Sequence, residues 1–163
     1  MKLAAKLFFI SFLVILLVSC SDNKAKWEAH ENQLINDYIK TLGDTIYTLK
    51  PSGLYYIELR EGTGASPVEN DSVFFRYRAM FLDFVEFNRT TPYSKPSGAK
   101  IGSDDMIKGV DEGLRYMREG GQSKLIMSSK LAYGLYGLQN IVPAYTPIQV
   151  YLELDSIKSG SGK

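Results

Sequence analysis

Cysteine, histidine and tryptophan each occur once in these 163 residues, as Cys20, His30 and Trp27. A single cysteine excludes an internal disulfide, and one cysteine with one histidine cannot assemble the usual zinc ligand set. Charge of one sign is not in excess either, with 19 Lys and Arg against 18 Asp and Glu. Nothing here supplies the electrostatic case for a nucleic-acid partner. The chain has no Gly-x-Ser-x-Gly nucleophile elbow and no phosphate-binding glycine loop. Asp104, Asp105, Asp111 and Glu112 sit close together, but acids at a helix start are more often dipole partners than a cation site. Nucleophilic, metal and nucleotide chemistry therefore lack candidates, and no cofactor is implied.

A long hydrophobic run is also missing. The most apolar stretch, LFFISFLVILLV at residues 7–18, is 12 residues long, whereas a membrane-spanning helix needs about 20. Lys2 and Lys6 precede it and small residues follow it, which fits a secretory signal peptide over residues 1–19. The ending Leu17-Val18-Ser19-Cys20 resembles the bacterial lipoprotein signal, of a Bacteroidetes-like kind. That resemblance implies cleavage before Cys20 and a diacylglyceryl group on its sulfur. Two acyl chains anchor stably where one does not, so a protein tethered to a membrane of a bacterial cell envelope is expected. Without Lys2 and Lys6, 17 of the 19 basic side chains remain against the 18 acids.

What is present divides the remainder into parts. Residues 20–26 read as a lipidated tether. Over residues 27–43, apolar side chains at 27, 34, 35, 38, 39 and 42 fall at helical spacing and Gly43 supplies a stop. Such a helix is marginal alone and is expected to dock on its own domain, with dimerisation through it as the alternative. His30, among Glu28, Glu31 and Asn32, reads as an exposed helix residue. Residues 50–158 read as a single domain. Strands are expected over 54–59, over 73–82 with strict alternation, over 84–87 running into the next strand, over 123–127 and over 148–157. Residues 90–98 read as a loop because of Pro92, Pro96 and Gly98. Asp104 and Asp105 are expected to cap a helix with Ile107, Val110, Leu114 and Met117 on one face, stopped by Gly120-Gly121. Residues 159–163 read as a disordered tail. The class is α+β, an antiparallel sheet packed on one short helix.

The segment AYGLYGLQNIVPAYT, residues 132–146, combines loop-forming Gly134, Gly137 and Pro143 with Tyr133, Leu135, Tyr136, Leu138, Ile141, Val142 and Tyr145. Loops normally run over wet surface, so this apolar load needs a purpose.

An ordered set of residues suggests one: Ser52-Gly53-Leu54-Tyr55-Tyr56, Glu61-Gly62-Thr63-Gly64, Tyr77, Phe87, Gly102, Met106-Ile107-Lys108-Gly109, Glu112-Gly113, Met117, Gly121, Lys124-Leu125, Ala132-Tyr133-Gly134 and Ile141-Val142-Pro143. In that order and spacing, over about 105 residues, the chain resembles the FKBP family of peptidyl-prolyl cis-trans isomerases. The resemblance implies an FKBP-like antiparallel sheet wrapped around one short helix, with an extra N-terminal amphipathic helix. It implies that residues 132–146 fold over a shallow apolar pocket that takes proline-containing, unfolded or extended polypeptides. By the same resemblance Tyr77 and Phe87 are pocket walls, the Ile107 N–H holds the carbonyl beside the proline, and the Tyr133 hydroxyl donates to the bound ligand. Met106, Val110, Tyr136, Ile141, Val142 and Val150 would surround the substrate.

The chain departs from the family pattern at four positions. Val110 stands where the pocket floor is usually tryptophan, Val150 where a phenylalanine is usual, Ser97 at another aromatic wall position and Asn88 in place of an aspartate. A wider pocket follows unless Tyr136, Tyr145, Tyr93 or Phe84 moves in. The alternative to an isomerase is a non-catalytic peptide-binding or chaperone module of a membrane-associated assembly, for instance a gliding-type one.

Overall fold

The computed structural model describes residues 24–91 and 95–160. The leader, Cys20, Tyr93 and the last three residues lie outside the described residues. Helix α1 covers residues 24–41, so Lys24, assigned to the tether from the sequence, is already helical and pairs with Glu28 one turn on at 3.8 Å. The helix ends in a turn at 42–44, where Gly43 takes φ +58°. Then follow β1 Thr48–Leu49, β2 Tyr55–Arg60, β3 Ser72–Phe81, β4 Glu86–Arg89, β5 Ser97–Lys100, α2 Lys108–Arg115, β6 Gln122–Met127, a 3-10 turn Ser129–Leu131 and β7 Ile148–Lys158. The sheet is antiparallel throughout, in the order β1-β2-β6-β7-β3-β4, with β5 pairing the other half of the β3 edge.

Alternation decides which face each strand buries. In β3, Val73, Phe75 and Ala79 face α2 and are buried, and in β7 Ile148, Val150, Leu152 and Leu154 do the same. α2 meets them with Val110 and Leu114, and two helix glycines set how closely it lies. A Cβ on Gly113 would run into Leu125 Cδ1, and one on Gly109 into Met127 Sδ. Only glycine permits this separation of helix and sheet.

Four expectations change. The cap of α2 is Ile107, extended at φ −64°, ψ 145°, with no side-chain cap. Asp105 instead accepts from Ser103 Oγ at 2.7 Å, and the first-turn acid is Asp111, held by Arg115 Nε and Gly102 N at 2.8 Å. The helix ends at Arg115, although Met117 N still reaches Leu114 O at 3.0 Å and the side chain is buried. Ser97 and Gly98, expected as the end of a loop, open β5, where Gly98 lies against the Phe74 ring and a Cβ would stand 3.2 Å from Cε1. Phe84 is in the reversal between β3 and β4, not in a strand. Its φ is +70°, its N–H donates to Phe81 O, and its ring lies 5.8 Å from that of Tyr38.

The other face of the sheet is not left to water, because α1 lies on it. Ile35 and Tyr38 pack on Ile57 of β2 and Ile126 of β6 in a second core cluster. Burying a side chain such as Ile35 contributes about 1.5–3 kcal/mol, and such packing, more than propensity, is what holds a helix in place. Alternation assigns Gln149 to this face correctly, yet its side chain is fully buried: Tyr38 Oη donates to Gln149 Oε1 at 2.8 Å and Gln149 Nε2 donates to Phe81 O at 2.9 Å. Lys124 joins them, its Nζ donating a hydrogen bond to Tyr38 Oη at 2.8 Å, its ammonium 5.1 to 6.0 Å from the rings of Tyr38, Tyr151 and Phe84. Ring faces offset the loss of water around that charge.

Candidate functional site

Opposite α1, between β3, β5 and the start of α2, lies a hollow of ≈ 320 Å³. β3 contributes Phe75, Tyr77 and Ala79, which alternation turns to the same side; Met106, Ile107 and Val110 come from the entry to α2, Val150 from β7 and Tyr133 from the loop over the top. Phe87 stands behind Tyr133, edge-on to it at 6.1 Å and 4.9 Å from Phe81. Six of the ten pocket residues expected from the sequence, Tyr77, Met106, Ile107, Val110, Tyr133 and Val150, thus line one cavity. Phe75, Ala79 and Ala99 also line it; for Phe75 and Ala79 the i, i+2 spacing from Tyr77 was the available signal.

The loop does not send all its apolar side chains to this cavity. Val142 is 3 % exposed in the main core, fixed by mutual backbone bonds between Leu138 and Val142 at 2.8 and 2.9 Å. Tyr136 is 88 % exposed and Ile141 is 49 % exposed, and neither lines the hollow. The assignment of these three to the pocket wall is corrected accordingly. A tight loop of this kind spends one side chain plugging its own base and leaves its tip in solvent. Nor does a replacement aromatic enter from among the described residues. Phe84 is on the far face against Tyr38, and Tyr145 stacks on Trp27 at 5.6 Å and 9°. With Val110, Val150, Ser97 and Asn88 all on its wall, the hollow stays open. Trp27 is thus in contact with the loop that roofs the hollow.

Two donors serve the hollow. The Ile107 N–H precedes the first turn of α2 and has no acceptor among the described residues. The Tyr133 hydroxyl likewise has no hydrogen-bond partner among them, and burial, with neighbouring Tyr77 second, pushes its phenol above the usual tyrosine value. It therefore keeps its proton and stays a donor across the physiological range. Wall residues Met106, Ile107 and Tyr133 continue into a shallower concavity with Asp104, Lys108 and Lys130. A larger groove of ≈ 770 Å³ runs between α1, Leu49 and Leu135, where Ile35, Tyr55 and Tyr145 share the walls with Lys24, Glu28, Asn36 and Lys130. The smaller hollow is the one that joins Phe75, Tyr77 and Tyr133 to two donors without a partner among the described residues, the usual constitution of a ligand site.

A sheet wrapped on a short helix, with an aromatic hollow at the helix start, defines a class. The chain belongs to the FKBP-type peptidyl-prolyl cis-trans isomerase family, whose family model matches residues 64–154, more than half its length. Among curated relatives it is 31 % identical over 142 residues to the macrophage infectivity potentiator of Trypanosoma cruzi, covering 81 % of this chain and 71 % of that one. It is 29 % identical to the FKBP-type peptidyl-prolyl cis-trans isomerase FkpA of Escherichia coli K12, covering 77 % of this chain but only 43 % of FkpA. The chain thus spans less than half of that relative. Among solved structures, a peptidyl-prolyl cis-trans isomerase of Pseudomonas syringae pv. tomato superposes with a TM-score of 0.69 at 25 % identity, over 81 % of this chain and 96 % of that one. Escherichia coli FkpA superposes at 0.71 and 27 % identity, over 84 % and 65 %. These likenesses favour an isomerase over a non-catalytic module.

Proposed function

We propose that the protein catalyses cis-trans isomerisation of X-Pro bonds in extended or unfolded polypeptides of a bacterial cell envelope, held at a membrane by a lipid on Cys20. The reaction requires rotation about an amide, against a barrier of about 18–20 kcal/mol set by its resonance. It transfers no proton and forms no covalent intermediate. A low-polarity hollow disfavours the planar, dipolar amide relative to the twisted one, in which that resonance is lost. The Ile107 N–H holds the carbonyl beside the proline, and the Tyr133 hydroxyl donates where the twisting amide needs it. Tyr77, Phe75 and Val110 enclose the ring, while Phe87 keeps Tyr133 upright.

The observation that carries this reading is the placement of two donors, both without partners among the described residues, on one hollow with aromatic walls. The membrane assignment rests separately on the sequence of residues 1–20. The test is proline-limited refolding of a substrate protein in the presence of the purified chain. Catalysis is expected, reduced several-fold by Phe87→Ala. No acceleration at micromolar protein would refute the enzyme and favour a peptide-binding module.

A further inference from the structure

We propose that Glu31, on the helix outside the isomerase domain, is a positioning residue for the Tyr133 hydroxyl, acting through Ser129. The proposal rests on Tyr133 being the donor to the twisting amide.

Glu31 is an anomaly on α1. It is a carboxylate only 3 % exposed, on the docked face where an aliphatic side chain would fill the space. Burying it without partners would be costly. Both oxygens are used, however, and by one residue: Oε1 accepts from Ser129 N at 2.8 Å and Oε2 from Ser129 Oγ at 2.9 Å. Ser129 is itself 4 % exposed. Its carbonyl then accepts from Ala132 N and from Gly134 N, each at 2.8 Å. Those are the two residues flanking Tyr133, so the peptide carrying the donor hangs from an atom set that Glu31 fixes.

A second strut reaches the same point. Tyr145 N donates to Gly134 O at 3.1 Å, and the Tyr145 ring is stacked on Trp27. Gly134 is therefore held through its N–H by Ser129 and through its carbonyl by Tyr145. Each of those holders is gripped by α1. Trp27 and Glu31 are four residues apart, which places them on one face of the helix. Further along, Ile35 and Tyr38 anchor that helix to the sheet. A donor displaced by a fraction of an ångström loses much of its effect on the reacting group. Bracing the loop from a rigid helix addresses that requirement, and nothing in the chemistry of isomerisation otherwise calls for α1.

The experiment is a double-mutant cycle on the full chain, read as kcat and KM for a proline-containing test peptide, with urea unfolding alongside. Glu31→Ala is expected to lower kcat about three- to tenfold with KM little changed. Glu31→Gln keeps a carbonyl oxygen for Ser129 N and an amide for its hydroxyl, and should recover most of the rate. In a Tyr133→Phe background, Glu31→Ala should have almost no further effect, because the group it positions is gone. Leu154→Val, in the main core and part of neither the hollow nor the α1 contact, should cost stability and leave kcat unchanged. Emission of Trp27, the only tryptophan, should shift in Glu31→Ala as its partner Tyr145 loosens. If Glu31→Ala does not fold, Trp27→Ala and Ser129→Ala take its place in the same cycle. A wild-type protein without activity would sink the functional reading itself. An active wild type in which Glu31→Ala keeps full kcat, or in which the Glu31 and Tyr133 losses simply add, would overturn the brace alone.

Discussion

Replacing Tyr133 by phenylalanine deletes one oxygen and leaves the ring, its edge-on contact with Phe87 and the loop backbone in place. The hydroxyl has no partner among the described residues, so the folded protein loses no internal hydrogen bond, and unfolding free energy should change by less than about 0.5 kcal/mol. The substrate loses a neutral hydrogen bond worth about 0.5–1.5 kcal/mol. At 1.36 kcal/mol per tenfold, that is a fall of about 2- to 13-fold in kcat/KM. A bond formed mainly to the twisted amide appears in kcat and spares KM. The two assays are therefore catalysed isomerisation at steady state and a urea melt. Equal rates for the two proteins would refute the donor role. So would a loss of rate that merely follows a loss of stability. The wild-type pH profile adds a check: the raised phenol pKa keeps the proton on below about pH 10, so kcat/KM should be flat from roughly pH 6 to 9. A bell-shaped profile in that window would indicate proton transfer and contradict the mechanism.

Further outcomes are expected. Gly113→Ala should destabilise by about 1–3 kcal/mol in a urea melt, despite alanine being the better helix former by about 1 kcal/mol, because its Cβ meets Leu125; a stabilised variant would contradict the packing. Burial first and nearby Glu58 second push the Tyr56 phenol up to about 12. Its folded pKa lies above the unfolded value near 10, so its contribution, on the order of 2 kcal/mol, is intact below pH 10 and lost as pH climbs towards 12. Tyr56→Phe should flatten that alkaline slope. Cys20→Ser should move the protein from the membrane to the soluble fraction; unchanged partitioning would count against lipidation. Val110→Trp, aimed into the open hollow, should lower the affinity for bulky ligands if that space is used, measured by competition with a test peptide.

Strict alternation in residues 73–82 and 148–157 sufficed to predict two long strands, and the spacing of Val110 and Leu114 marked the packed face of α2. These are properties of a few consecutive residues, where backbone geometry alone dictates which side chains share a face. The resemblance on ordered motifs grouped Tyr77, Ile107, Val110 and Tyr133, which line one cavity. The short strands β1 and β5 left no local signature: two and four residues pair only because a neighbouring edge is present. The same holds for Phe84, whose apolar character suggests a strand and whose position in a turn depends on Tyr38 lying beneath it.

What the amino-acid order determined by itself is the periodic framework, the absence of reactive groups and the apolar load of residues 132–146. Tertiary structure alone decided where that load goes: Val142 into the core, Tyr133 over the hollow, Tyr145 onto Trp27 and Tyr136 into water. It also decided that α1 covers a sheet face, burying Gln149 and Lys124, and that Glu31 meets Ser129, 98 residues away. Contacts across such a separation are selected by the packing of finished elements, so no short stretch of sequence carries their signature.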